Sequence, residues 1–266
     1  MKNESPFSNV QKMIVITCMI LVIFFQFVDL THLGYIKDVN MITNTITRFS
    51  AGTLLVLVLI RFGRRDLLSF SNVKKSLVLM IPALLIAMNN FPISAYFNGR
   101  TNLTEPIYRV ILFFIECLSV GFFEEVLFRG ILLIVLVEKL EHVKGGTLIS
   151  ILISSLIFGL LHLVNLFDGA TLGSALLQVG YSFLMGILWA TLYLKTGNLW
   201  LVMILHAVYN FFGQVMFYLG TVENRYDNLT LFITWIFAVL SGIYVTILLR
   251  NDRIILHRGV SEEREV

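Results

Sequence analysis

Eight apolar runs, each close to membrane length, dominate this chain and leave few folds open to it. A helix of about 20 mainly apolar residues crosses about 30 Å of hydrocarbon. Runs of that kind occupy 13–30, 43–62, 75–92, 107–138, 146–167, 172–195, 198–219 and 230–250. Only 14% of the 266 residues are charged and 57% are hydrophobic. A soluble domain carries about 25% charged residues. The expected fold is therefore all-α: a polytopic membrane helix bundle of about eight transmembrane helices, with residues 1–266 forming a single membrane-embedded domain. The fourth run is too long for one straight span, about 48 Å at about 1.5 Å per residue. Gly121 is the expected weak point in it.

The run at 13–28 follows Lys2 and Lys12 and superficially resembles a signal peptide, but it is long for one and no small-x-small site follows. It reads as a retained first span. Cys18 and Cys117 both sit in apolar runs, so no disulfide framework is expected. Fourteen of the 20 Lys and Arg residues fall on the side that holds both termini, and five on the other. That asymmetry places both termini in the cytoplasm of a multi-pass cell-membrane protein. It also accounts for the net charge of +3 without nucleic acid as a partner.

Three polar clusters lie inside these runs: Glu124-Glu125 with Arg129, Phe158 with His162, and His206 with Asn210. An ionisable group in hydrocarbon is costly, so it turns to the protein interior and usually marks function. Glu125 and Arg129 are spaced i, i+4, good geometry for an intrahelical ion pair. Glu124 is rotated about 100° from Glu125, so Arg129 does not readily neutralise both. His206 and Asn210 share a helix face. Each cluster alone has a bland reading as a tolerated charge pair or an interhelical hydrogen bond. Together, two histidines and a spare glutamate suit a metal site or a water held beside a carboxylate base. Counted from the basic helix ends at about 1.5 Å per residue, Glu124 lies about 21 Å deep, His162 about 24 Å, His206 about 12 Å and Asn210 about 18 Å.

Glu116 reads as a structural polar residue near the outer interface. Asp29 and His32 read as interface residues, and His142 and Asp168 as loop residues. No G-x-S-x-G, H-E-x-x-H, P-loop or G-x-G-x-x-G pattern occurs, which removes serine hydrolase, zincin and nucleotide-binding readings.

The three clusters resemble the motifs of the CPBP intramembrane proteases, also called the CAAX protease and bacteriocin-processing or Abi family. Those motifs are E-E-x-x-x-R, F-x-x-x-H and H-x-x-x-N, in that order. They stand here as Glu124-Glu125-Val126-Leu127-Phe128-Arg129, Phe158-Gly159-Leu160-Leu161-His162 and His206-Ala207-Val208-Tyr209-Asn210. The approach Lys195-Thr196-Gly197-Asn198-Leu199-Trp200 is also similar, and the likeness covers roughly 108–212. The resemblance implies an intramembrane endopeptidase, a CPBP-type metalloprotease, acting on a membrane-associated peptide or protein. By the same carry-over Glu124 activates water, Glu125 and Arg129 pair to set the helix, and Asn210 steadies the oxyanion. His162 and His206 position the water or, with Glu124, hold Zn²⁺ or another divalent metal. The rival implied by the same family is a non-catalytic immunity or scaffold protein, as in bacteriocin self-immunity. A proton-coupled transporter, the other use of buried Glu and His, would show an internal repeat that is not visible. Lacking a targeting extension, the sequence looks like a bacterial relative.

Overall fold

The computed structural model describes residues 36–70, 73–167, 169–224 and 227–250. The expected first span at 13–30, with Cys18, Asp29 and His32, lies outside the described residues, as does Asp168. The bundle is built from α1 (Lys37–Arg61), α2 (Val73–Asn89), α3 (Ile93–Phe97), α4 (Ile107–Glu125), α5 (Ile134–Lys139), α6 (Gly146–Leu161), α7 (Leu172–Thr196), α8 (Leu199–Tyr218) and α9 (Asn228–Arg250). Two three-residue strands, β1 (Thr101–Leu103) and β2 (Gly220–Val222), pair antiparallel with Thr101 opposite Val222, a small departure from an all-helical chain. The molecule is an all-α membrane helix bundle. Five described helices are long and apolar enough to span: α1, α6 with its 3₁₀ extension, α7, α8 and α9. α2 falls short at 17 residues and carries Pro82 in its interior.

The overlong fourth run does not break at Gly121. α4 passes straight through that residue, and an eight-residue π-helical stretch, Val126–Leu133, joins it to α5. Gly121 instead permits close packing. A Cβ there would lie 2.5 Å from the carbonyl oxygen of Met203 on α8. Small residues let membrane helices approach in this way, and the close crossing draws the end of α4 against the start of α8. Gly159 plays the same part between α6 and α7, where a Cβ would meet Val179 O at 2.9 Å.

Capping explains the turn between α7 and α8. Gly197 ends α7 at φ 66°, a left-handed position that glycine adopts without strain. Asn198 then caps α8, its Oδ1 accepting from Leu201 N at 3.1 Å. Two helices thereby reverse over two residues, which fixes the register of His206 and Asn210 against α7.

The two ends of the bundle differ. One, the basic end, carries the connections at 62–72, 140–145 and 197–198, and it is tightly filled. Tyr193 donates to Leu67 O at 3.1 Å and Trp200 Nε1 to Leu68 O at 2.8 Å. Arg64 pairs with Glu138 at 2.7 Å. The other, the strap end, carries the β1–β2 pair. Lys37 meets Glu105 at 2.8 Å, Arg109 meets Asp38 at 2.6 Å, and Arg100 meets Asp227 at 2.5 Å.

Candidate active site

α4 delivers Glu124 and Glu125 just before the π-helical stretch, a distortion often found at functional sites. The two neighbours face different surroundings, as a rotation of about 100° per residue requires. The Glu125 side chain is 0% exposed, whereas that of Glu124 is 14% exposed. Glu125 Oε1 lies 2.9 Å from Arg129 Nη1 and 2.7 Å from Nδ1 of His206. The expected Glu125–Arg129 ion pair is therefore present, with His206 as a third member that the spacing alone did not reveal.

The Arg129 contact is one of charge rather than a well-aligned hydrogen bond, and Glu125 Oε2 has no hydrogen-bond partner among the described residues. Arg129 Nη2 donates over 3.5 Å to Gly186 O of α7. Its guanidinium carbon also sits 4.6 Å from the centroid of the Phe158 ring. That cation–π contact is a second reason, beyond helix packing, for a phenylalanine at this motif position.

The F-x-x-x-H spacing has a local cause. α6 ends at Leu161 and a 3₁₀ turn begins at His162. The His162 ring reaches back four residues, with Nδ1 3.0 Å from Phe158 O. A carbonyl only accepts, so Nδ1 carries a hydrogen and donates, and Nε2 takes no part in this bond. The rings of Phe158 and His162 meet edge to face at 5.2 Å.

His206 Nδ1 is taken by Glu125, and its Nε2 lies 3.6 Å from Glu124 Oε2. The shallower depth expected for His206 does not separate it from Glu124, because depth counted along single helices ignores tilt and the close α4–α8 crossing. Trp189 of α7 stacks on the His206 ring at 6.3 Å and 27°. Nothing in its apolar run singles Trp189 out; only the packing of α7 on α8 brings it here.

Glu124, His162, His206 and Asn210 all line one cavity of about 620 Å³, together with Phe158 and Trp189. Glu125 and Arg129 are not among its lining residues and stand behind its wall. Two further features of this cavity lie outside the three motifs. Asn165 donates to Gln178 at 2.7 Å across the α6–α7 contact. Glu116, read as a structural polar residue near the outer interface, is buried and accepts from Asn44 at 3.0 Å and from Arg48 at 3.1 Å, and Glu116 and Arg48 both line the cavity. The signal for both was a polar residue within an apolar run. His142 behaves as the loop residue expected, exposed and 3.2 Å from Glu141.

The donor set of Glu124, His162 and His206 suits zinc in kind. Among the described residues, however, no three His, Cys, Asp or Glu side chains are grouped closely enough to hold an ion. In this arrangement they do not fit a three-ligand metal site.

No curated protein and no solved structure matches the chain. Residues 106–212 match the family described as Rce1-like, Type II CAAX prenyl endopeptidase Rce1-like. That segment holds α4 to α8 up to Asn210, and hence every motif residue around the cavity. Residues 106–212 of this multi-pass membrane protein are thus a domain of the CAAX protease (CPBP) family, a family of intramembrane proteases.

Proposed function

We propose that the chain is an intramembrane endopeptidase in which Glu124 activates a water molecule against a peptide bond. The observation that carries this reading is the split between neighbouring carboxylates. Glu124 faces the cavity with His162, His206 and Asn210, while Glu125 is held behind it by Arg129 and His206. Glu124 takes a proton from water as the oxygen bonds to the carbonyl carbon. The oxyanion that forms needs fixed donors, and Asn210 supplies an amide N–H from the cavity wall. Glu124 then passes the proton to the departing amine as the C–N bond breaks, so one water and one peptide bond become an acid and an amine. Glu125 fixes the His206 ring through Nδ1, which keeps Nε2 directed at Glu124.

A divalent ion such as Zn²⁺ on Glu124, His162 and His206 is the second reading. It is favoured by one observation: both imidazoles are engaged through Nδ1, the pattern that leaves Nε2 for a metal. It requires the three side chains to draw closer than they stand here. Metal content of the purified protein, with turnover before and after chelation, separates the two readings.

The test of the main reading is a comparison of membrane peptides in cells carrying the native chain or Glu124→Gln at equal protein level. Peptides that persist uncut only in the variant support proteolysis. A phenotype that survives Glu124→Gln points to the scaffold or immunity role instead.

A further inference from the structure

The two ends of the cavity are not equivalent. At the strap end it reaches the last residue of α2, Asn89, the turn that follows it, and Thr230 and Leu231 in the first turn of α9. None of its lining residues comes from the connections at 62–72, 140–145 or 197–198. The lining residues nearest the basic end are Phe128, Trp189 and His206. Trp189 and His206 each stand seven residues from the α7–α8 turn, which leaves about 10 Å of packed protein below them at about 1.5 Å per residue. That layer contains Tyr193, Leu199 and Leu67, all fully or nearly fully buried, and the Tyr193 and Trp200 hydrogen bonds seal it to the 65–68 turn.

Charge separates the same two ends. Lys37, Arg48, Arg100 and Arg109, on the strap side, all sit in ion pairs. At the other end Arg61, Arg65, Lys74, Lys75, Lys139 and Lys144 make no ion pair among the described residues. Lys and Arg near the span ends, counted whether or not an acid pairs with them, retain a membrane end in the cytoplasm, and among the described residues nine lie at this end against four at the strap end. The sealed end is therefore the cytoplasmic one.

We infer that the cavity is entered from the non-cytoplasmic side, and that its substrate is a polypeptide segment already exported or inserted across the membrane. This deepens the protease reading and rests on it for the word substrate; the sidedness of entry does not. The wall between the mouth and Glu124 presents neutral side chains, Gln178, Gln214, Thr230 and Thr234, with Arg48 and Glu116 paired to each other. Such a lining suits an extended, uncharged main chain, whose N–H and C=O groups must find partners once out of water. A transport or insertion reaction must supply such a segment.

Cysteine accessibility tests this without any cleavage assay, so its failure is distinct from failure of the protease reading. In a full chain with Cys18 and Cys117 replaced by alanine, single cysteines are placed at Gln178, Gln214 and Thr234, on three helices, so that a variant that misfolds leaves two readings. Asn102→Cys on the strap and Lys144→Cys at the basic end serve as side markers. A membrane-impermeant maleimide is added to right-side-out and to inside-out vesicles. The expected result is that the cavity cysteines and Asn102→Cys react in right-side-out vesicles, and Lys144→Cys only in inside-out ones. Cavity cysteines that react only in inside-out vesicles, from both sides or from neither overturn the inference. So does a reversed pair of side markers.

Discussion

Glu124 and Glu125 are joined by one peptide bond, yet the regions they serve have little in common. The cavity wall encloses about 620 Å³ and carries Glu124, His162, His206 and Asn210. Behind it Glu125 and Arg129 are buried, and Glu125 is bonded to Arg129 and to Nδ1 of His206, itself a residue of the wall. On the proposed reading, pairing with Arg129 is assigned to one acid, and its neighbour is left facing the cavity.

The largest effect on folding is expected in the closed network. Removing one partner of a buried pair costs about 3–5 kcal/mol, so Glu125→Gln, which leaves Arg129 unmatched, should lower the melting temperature in detergent and the protein level. Adding Arg129→Met should recover part of that loss. If Glu125→Gln melts like the native chain, the network is not what holds α4, α7 and α8 together.

On the cavity side the expected effect is on rate. Loss of an oxyanion donor commonly costs about 10²–10³ in kcat, so Asn210→Ala should slow turnover by that order with an unchanged melting temperature. An equal fall in stability would move Asn210 from the open region to the closed one.

Phe158 touches both regions, through Arg129 on one side and His162 on the other. Phe158→Leu keeps the apolar bulk and removes the ring face, so a loss of about 1–2 kcal/mol is expected for a desolvated cation–π contact. Rescue of stability by Phe158→Tyr, which retains the ring, would sharpen the assignment.

The smallest effect is expected far from both, at the strap. The Ser94 hydroxyl and the Arg100 guanidinium beside Asp227 hold its carboxyl below its ordinary value of 3.8. A depressed acid contributes stability that is present above its unfolded pKa and lost as pH falls through the folded one. The share of stability that Asp227 contributes should therefore be lost below about pH 4. Asp227→Asn should remove that share, while other paired carboxylates, Glu105 held low by Lys37 and Arg109 among them, keep theirs. Melting curves of both chains between neutral and acid pH check it.

Much of this was legible in the chain. Apolar length marked α1, α6, α7, α8 and α9, and the i, i+4 spacing of Glu125 and Arg129 gave the ion pair. Order and spacing of the three motifs pointed to residues that share the cavity. What remained hidden depends on contacts between helices. Gly121 read as a break because glycine weakens an isolated helix, but here it admits the backbone of α8. The π-helical stretch leaves no periodicity signal in a uniformly apolar run. His206 as partner of Glu125, and Trp189 stacked on His206, follow from the α4–α8 and α7–α8 crossings, which no local pattern encodes.

The central claim is the division of labour between the two acids, and one side-by-side measurement tests it: melting temperature and turnover of Glu124→Gln and Glu125→Gln in the same detergent, on a membrane peptide the native chain cuts. The account predicts that Glu124→Gln melts within about 0.5 kcal/mol of native, as changes away from buried pairs do, and is inactive. Glu125→Gln should be the destabilised one, with residual activity. A folded, inactive Glu125→Gln beside a destabilised Glu124→Gln would contradict the account and reverse the two roles.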